Sequence, residues 1–160
     1  MSLKKVIETI NHFLAEISGW LLIIIMFLLT TDFVSRSFSK PIQGLSSLSV
    51  FALVAAVYFG IPHCEEVKGH IKVEILLSKL PSKLRRFLTL LSYWVAIGII
   101  FICIWAISSN AIDSFISKEK VAGTLPLIIY PAKFTIIIGC VFYFFQLFIN
   151  MIEEYKRSSN

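Results

Sequence analysis

The sequence predicts an all-α integral membrane protein of four transmembrane helices, with an amphipathic interfacial helix between the second and third. Three observations predict it. Hydrophobic residues make up 57% of the 160, more than the roughly half usual in a soluble domain. Charged residues, 16% of the chain, gather between and outside four apolar runs, at about 13–34, 45–61, 87–109 and 125–150. Each run has about the twenty residues that a helix needs to cross a bilayer. On that background the net charge of +5 is read as membrane orientation, not as nucleic-acid binding.

The first run, Phe13 to Val34, follows a short start with Lys4 and Lys5. A signal peptide has a similar start. This run is too long for one and no small-x-small cleavage site follows, so an uncleaved spanning helix is expected. Asp32 and Arg36 stand four apart, acid first, the favourable order for an i,i+4 ion pair. An ionisable residue deep in a bilayer is a functional site by default. Asp32 lies near the end of its run, which favours a pair at the membrane surface.

A turn with Pro41 and Gly44 leads to the second run, Leu45 to Ile61. Ser49, Ala52, Ala56 and Gly60 share one helical face. The last three form a small-xxx-small series that lets another helix approach closely. The series fits either a neighbouring helix of the chain or a second protein. Pro62 is expected to end this helix.

The connector, 63–86, is the long charged stretch of the chain. His63, Cys64, Glu65 and Glu66 are metal-ligand types, but no second cluster completes a ligand set. From Val73 the pattern turns helical: Val73, Leu76, Leu77 and Leu80 recur at spacings of three and four. Lysines take the other faces, as in a helix lying in the interface plane. Cys64, Cys103 and Cys140 show no CxxC spacing and read as unpaired structural thiols.

The third run, Phe87 to Ser109, has Tyr93 and Trp94 near its start, where aromatics sit against headgroups. Asn110–Thr124 reads as a polar loop. The last run, 125–150, contains Pro126 and Pro131. A helix starting at Pro131 makes Lys133 interfacial; one starting at Leu125 puts it about 12 Å deep. Proline is tolerated in a first turn, which favours the interfacial placement. The aromatic cluster Phe142–Phe145 and Phe148 reads as helix and lipid packing.

Four spans put both termini on one side. Ten basic residues fall on that side, in the N-terminus, connector and tail, against five on the other. The positive-inside rule then places both termini and the connector in the cytoplasm. The three histidines lie outside the apolar runs, so haem ligation within the membrane is not expected. No HExxH, GxSxG or Walker-type pattern is present. No catalytic, cofactor-binding or metal residue is assigned, and the chain reads as a packing element, not an enzyme.

The residues carry a family resemblance. Val34-Ser35-Arg36 ends the first helix, a polar turn with Pro41 follows, and a charged connector follows the second helix. The connector holds Gly69-His70-Ile71-Lys72-Val73-Glu74-Ile75-Leu76-Leu77, then Leu80-Pro81 and Arg85-Arg86. Leu125-Pro126 opens the last run. Over nearly its whole length the chain resembles the small, Q-type membrane subunit of tripartite ATP-independent periplasmic (TRAP) transporters. It departs at Leu45-Ser46-Ser47-Leu48, where members commonly carry an aromatic residue followed by paired glutamates. The contacts of that acidic pair are not carried over to this chain.

The resemblance implies a bacterial inner-membrane subunit of a secondary-active transporter. Its implied partners are a large multispanning subunit, which carries substrate and sodium, and a periplasmic binding protein that delivers an organic acid. The small subunit would be a scaffold, in contact with lipid, holding no cofactor itself. The competing reading is an independent small carrier or channel, which requires Asp32, Arg36 or Lys133 to line a water-filled path. A third, a membrane redox enzyme, requires a ligand set that the sequence does not show.

Overall fold

Runs of this composition form helices because each backbone group in lipid must find its partner within the segment. The computed structural model describes residues 3–40, 42–67, 82–120 and 128–157. They form α1 (Leu3–Ser37), α2 (Leu45–Glu66), α3 (Ser82–Ser117) and α4 (Tyr130–Arg157). All four are long and apolar enough to cross a membrane. Among the described residues the extended pairing is one isolated bridge, Lys120 to Ile128. The expected interfacial helix, with Val73, Leu76, Leu77 and Leu80, lies outside the described residues.

Three boundaries differ from the sequence expectation. α1 starts at Leu3, ten residues before the apolar run. Residues 3–12 contain no proline or glycine, and Ile7, Asn11 and Leu14 extend one buried face toward the N-terminus. α2 continues through Pro62 to Glu66, so His63, Cys64 and Glu65 belong to its last turns and not to the connector. Pro62 has no N–H for the carbonyl of Tyr58; that carbonyl faces α4 instead. α3 runs to Ser117 through the expected loop, because Asn110 and Ser114 find partners on the start of α4. α4 itself starts at Tyr130, with Pro131 in its first turn, where a missing N–H costs little.

The α1–α2 turn depends on backbone that most residues avoid. Gly44, the residue before α2, has φ of 90°, and Ser39 has φ of 56°. Glycine takes that conformation without the Cβ penalty.

The helices pack as a row and not as a closed bundle. α1 lies along α2, α2 along α4 and α4 along α3, while α1 reaches α4 only lightly. Lys4 Nζ donates to Glu153, so both termini lie at one end of the row. α1 and α3 are the two edges. At 1.5 Å per residue α1 is about 50 Å long and α4 about 40 Å, against a hydrocarbon core of about 30 Å. Their ends therefore have room for polar side chains.

Candidate functional site

Buried polar side chains concentrate at the terminal end of the row. Asn11 on α1 donates through Nδ2 to Gln146 Oε1 on α4, at 2.9 Å. Gln146 Nε2 donates to Asn150 Oδ1 one turn later, at 3.1 Å. Asn150 Nδ2 donates to Glu65 on α2, to its backbone carbonyl at 3.1 Å and to Oε1 at 2.9 Å. All four residues are buried. Three amides thus point the same way and end on a carboxylate and a helix-terminal carbonyl, both strong acceptors. The far end of the relay leaves Asn11 Oδ1 buried without a hydrogen bond.

Beside the relay, His12 of α1 stacks on His63 of α2, ring centres 5.6 Å apart. His63 Nδ1 lies 3.4 Å from Glu66 Oε2. Among the described residues no three metal-ligating side chains converge.

Two close approaches hold the middle of the row. Ser18 Oγ on α1 donates to the carbonyl of Ala56 at 2.6 Å, and a Cβ on Gly60 would lie 3.2 Å from that hydroxyl. Ala56 and Ser49 are buried, and Ala52 and Gly60 half-buried. Ala56 and Gly60, from the small-residue series, therefore meet α1 of the same chain. On α4, a Cβ on Gly139 would fall within 2.8 Å of the Tyr58 carbonyl carbon and Cβ, and closer still to its oxygen. The carbonyl that Pro62 cannot engage is thus seated against the one α4 residue without a side chain. Next to this crossing is an apolar cleft of about 230 Å³, walled by Tyr58 and Ile61 of α2 and Ile100 of α3 over Gly139, Cys140 and Tyr143 of α4.

The opposite end of the row uses charge. Lys133, in the first turn of α4, donates to Asn110 Oδ1 at 2.6 Å, to Ser114 Oγ, and to Glu119 Oε2 at 2.9 Å. Ser114 Oγ in turn donates to Glu119 Oε2 at 2.5 Å. The Ser114 hydroxyl, and then the Lys133 ammonium, hold the Glu119 carboxyl below its ordinary value. The Ile129 N–H donates to the Glu119 carbonyl, so the clasp also fixes the base of the α3–α4 connection. On α1, Arg36 Nε donates to Asp32 Oδ2 at 2.9 Å, with Arg36 well exposed and Asp32 largely buried. The sequence expected this pair, and it expected the last helix to start near Pro131. Asp32 Oδ1 is buried without a partner.

The amide relay and the Gly139 crossing were missed from sequence. The relay had a readable signal, an amide pair at i,i+4 late in an apolar run. Such a pair finds its bonds across helices or leaves donors stranded in lipid. Nothing local marks Asn11 as its partner. In sequence Asn110 and Ser114 resemble loop residues; only the fold brings them to Lys133.

Residues 25–157 match the family model described as "Tripartite ATP-independent periplasmic transporters, DctQ component". The chain is also similar to a Haemophilus influenzae protein assigned as a TRAP transporter small permease. The two are 27% identical over 160 residues, which cover 98% of this chain and 93% of the relative.

Proposed function

We propose that this chain, which belongs to the DctQ component family of tripartite ATP-independent periplasmic transporters, is the non-transporting scaffold of a binding-protein-dependent uptake system. It is a multi-pass membrane protein and the small membrane component of such a transporter. In the proposed assembly a large multispanning subunit moves an organic acid, coupled to sodium, and a periplasmic protein delivers it. The chain lies in the inner membrane with both termini in the cytoplasm, and performs no enzymatic chemistry.

One observation carries the scaffold reading: among the described residues most of the buried polar side chains, five of seven, bond from one helix to another or to its flanking connection. Asn11, Gln146, Asn150 and Glu65 bond one another, and Ser18 bonds a backbone carbonyl. Lys133 is saturated by three acceptors. A carrier needs polar groups that exchange a protein partner for a substrate or ion; groups committed to one another suit a fixed support. The family and the small-permease assignment of the H. influenzae relative agree with this role.

Reconstitution tests it. In proteoliposomes with an inward sodium gradient, this chain alone should give no uptake of organic acids. Adding the large component and the binding protein of the same transporter should restore uptake. Uptake by this chain alone would establish the independent-carrier reading in its place.

A further inference from the structure

Two histidines from different helices meet at the terminal end of the row. His12 of α1 and His63 of α2 hold their rings nearly parallel, with 13° between the planes and 5.6 Å between the centres. That spacing is an offset stack. It couples two groups whose charge changes between about pH 5 and 8. The amide relay uses neither ring, and His12 is exposed, open to protons from water.

The charges around the stack are unevenly placed. On α2, Glu66 Oε2 lies 3.4 Å from His63 Nδ1. Glu65, the other acid of that turn, is taken by Asn150 of α4. On α1, Glu8 and Glu16 stand one turn to either side of His12. Glu8 is paired with Lys4, which also binds Glu153 of α4. Lys5 of α1 and Glu154 and Lys156 of α4 complete the charged groups on the described turns nearby. Among the described residues no carboxylate reaches ion-pair distance of His12.

One carboxylate therefore balances one imidazolium and not two. With a single proton the stack sets a charged ring beside a neutral one. With two, cations face each other across the contact of α1 and α2. His63 and Glu66 belong to one helix, so their pairing survives a separation of α1 from α2 and does not bias it. The His12–His63 contact does bias it. The stacked pair binds fewer protons than two separated histidines, so the contact gains as pH rises and is lost as pH falls. His12 also stands where α1 can move. It follows Asn11, the α1 end of the relay, and lies ahead of Ser18, which holds α1 to the Ala56 carbonyl further along.

We propose that His12 and His63 form a proton-operated latch between α1 and α2. The latch is closed while at most one ring is charged and opens when both are, between about pH 7 and pH 5. Opening frees the first turns of α1 from the end of α2 and leaves the Ser18 crossing in place. The latch needs no partner subunit, so it belongs to the chain whether or not the scaffold reading holds.

The test follows the imidazole Cε1 resonances of the purified full chain in nanodiscs at low salt, where screening is weak. The chain has three histidines, and His12→Gln and His63→Gln assign two of them. His12→Gln should raise the titration midpoint of His63 by about half a unit, as Coulomb's law gives for two charges 5.6 Å apart in water. His63→Gln should raise that of His12 by a similar amount. Hydrogen exchange reads the opening at residues 7–12, the first amides of α1 with partners inside the helix. Their protection in the unaltered chain, corrected for the intrinsic rate, should fall about threefold or more from pH 7.5 to pH 5. Either histidine variant should flatten that fall, and Glu66→Gln should leave it in place. Midpoints unmoved by loss of the other ring would overturn the inference. So would reciprocal shifts with α1 protection independent of pH. A fall in protection that survives His12→Gln would assign the opening to another group and also overturn it. The exchange measurement on the unaltered chain stands whatever the stability of the variants: protection there that does not fall with pH sinks the latch.

Discussion

At the α2–α4 seam, a glycine backs onto a backbone carbonyl and side-chain amides close the end. At the α3–α4 seam, apolar side chains meet along one face and a lysine closes the end. The first seam is buried and set by backbone contact and side-chain amides. The second is clasped at the opposite end by charge, and it leaves most of α3 uncovered. The difference separates two jobs. α1, α2 and α4 share bonds that exclude substitutes, as a rigid block requires. α3 is secured to that block along one face, and its other face is exposed among the described residues.

The largest predicted effect breaks the first seam. Gly139→Val puts side-chain atoms into the Tyr58 carbonyl, and backbone cannot yield as a rotamer does. A cost of about 3 kcal/mol, the upper part of the overpacking range, is expected. It should appear as a lowered midpoint of unfolding in mixed micelles. A variant as stable as the parent would mean that α2 and α4 cross elsewhere.

Next in size is Gln146→Leu. It leaves the Asn11 and Asn150 amides buried without their partner, at about 1–2 kcal/mol. Hydrogen bonds between membrane helices often measure lower. A double-mutant cycle with Asn11→Leu should show strong coupling, since each amide is stranded by loss of the other. Additive effects would dissolve the relay as a unit.

The smallest effect lies at the second seam and depends on pH. Glu119 is held below its ordinary value, so its contribution is present above the unfolded carboxylate range. It is lost as pH falls through the lower, folded value. Hydrogen exchange of the Ile129 amide, which bonds the Glu119 carbonyl, should therefore show less protection at pH 3 than at pH 7, after correction for the intrinsic rate. Lys133→Met should remove most of that dependence. The exchange of α2 core amides should not follow it, and a parallel change there would erase the distinction between the seams.

Much of this was legible in the chain, and the gaps have physical causes. The Asp32–Arg36 pair is local, four residues within one helix, so spacing alone predicted it. The start of the last helix followed from the tolerance of a first turn for Pro131. Pro62 misled, because a proline near a helix end breaks one bond and not the helix when its orphaned carbonyl is seated elsewhere. Asn110 and Ser114 read as loop because polar residues at a membrane edge look alike whether they face water or a lysine. Asn11 and Gln146 are 135 residues apart, beyond any periodicity.

By itself the sequence determined four spans, because crossing a bilayer depends on some twenty consecutive residues and their transfer free energy. The order of the helices, α1–α2–α4–α3, was decided only in three dimensions. Apolar side chains meet lipid and one another on nearly equal terms, so they carry little pairing information. The few positions that do carry it, Ser18 with Ala56, Tyr58 with Gly139 and Asn11 with Gln146, acquire their meaning when distant helices come together.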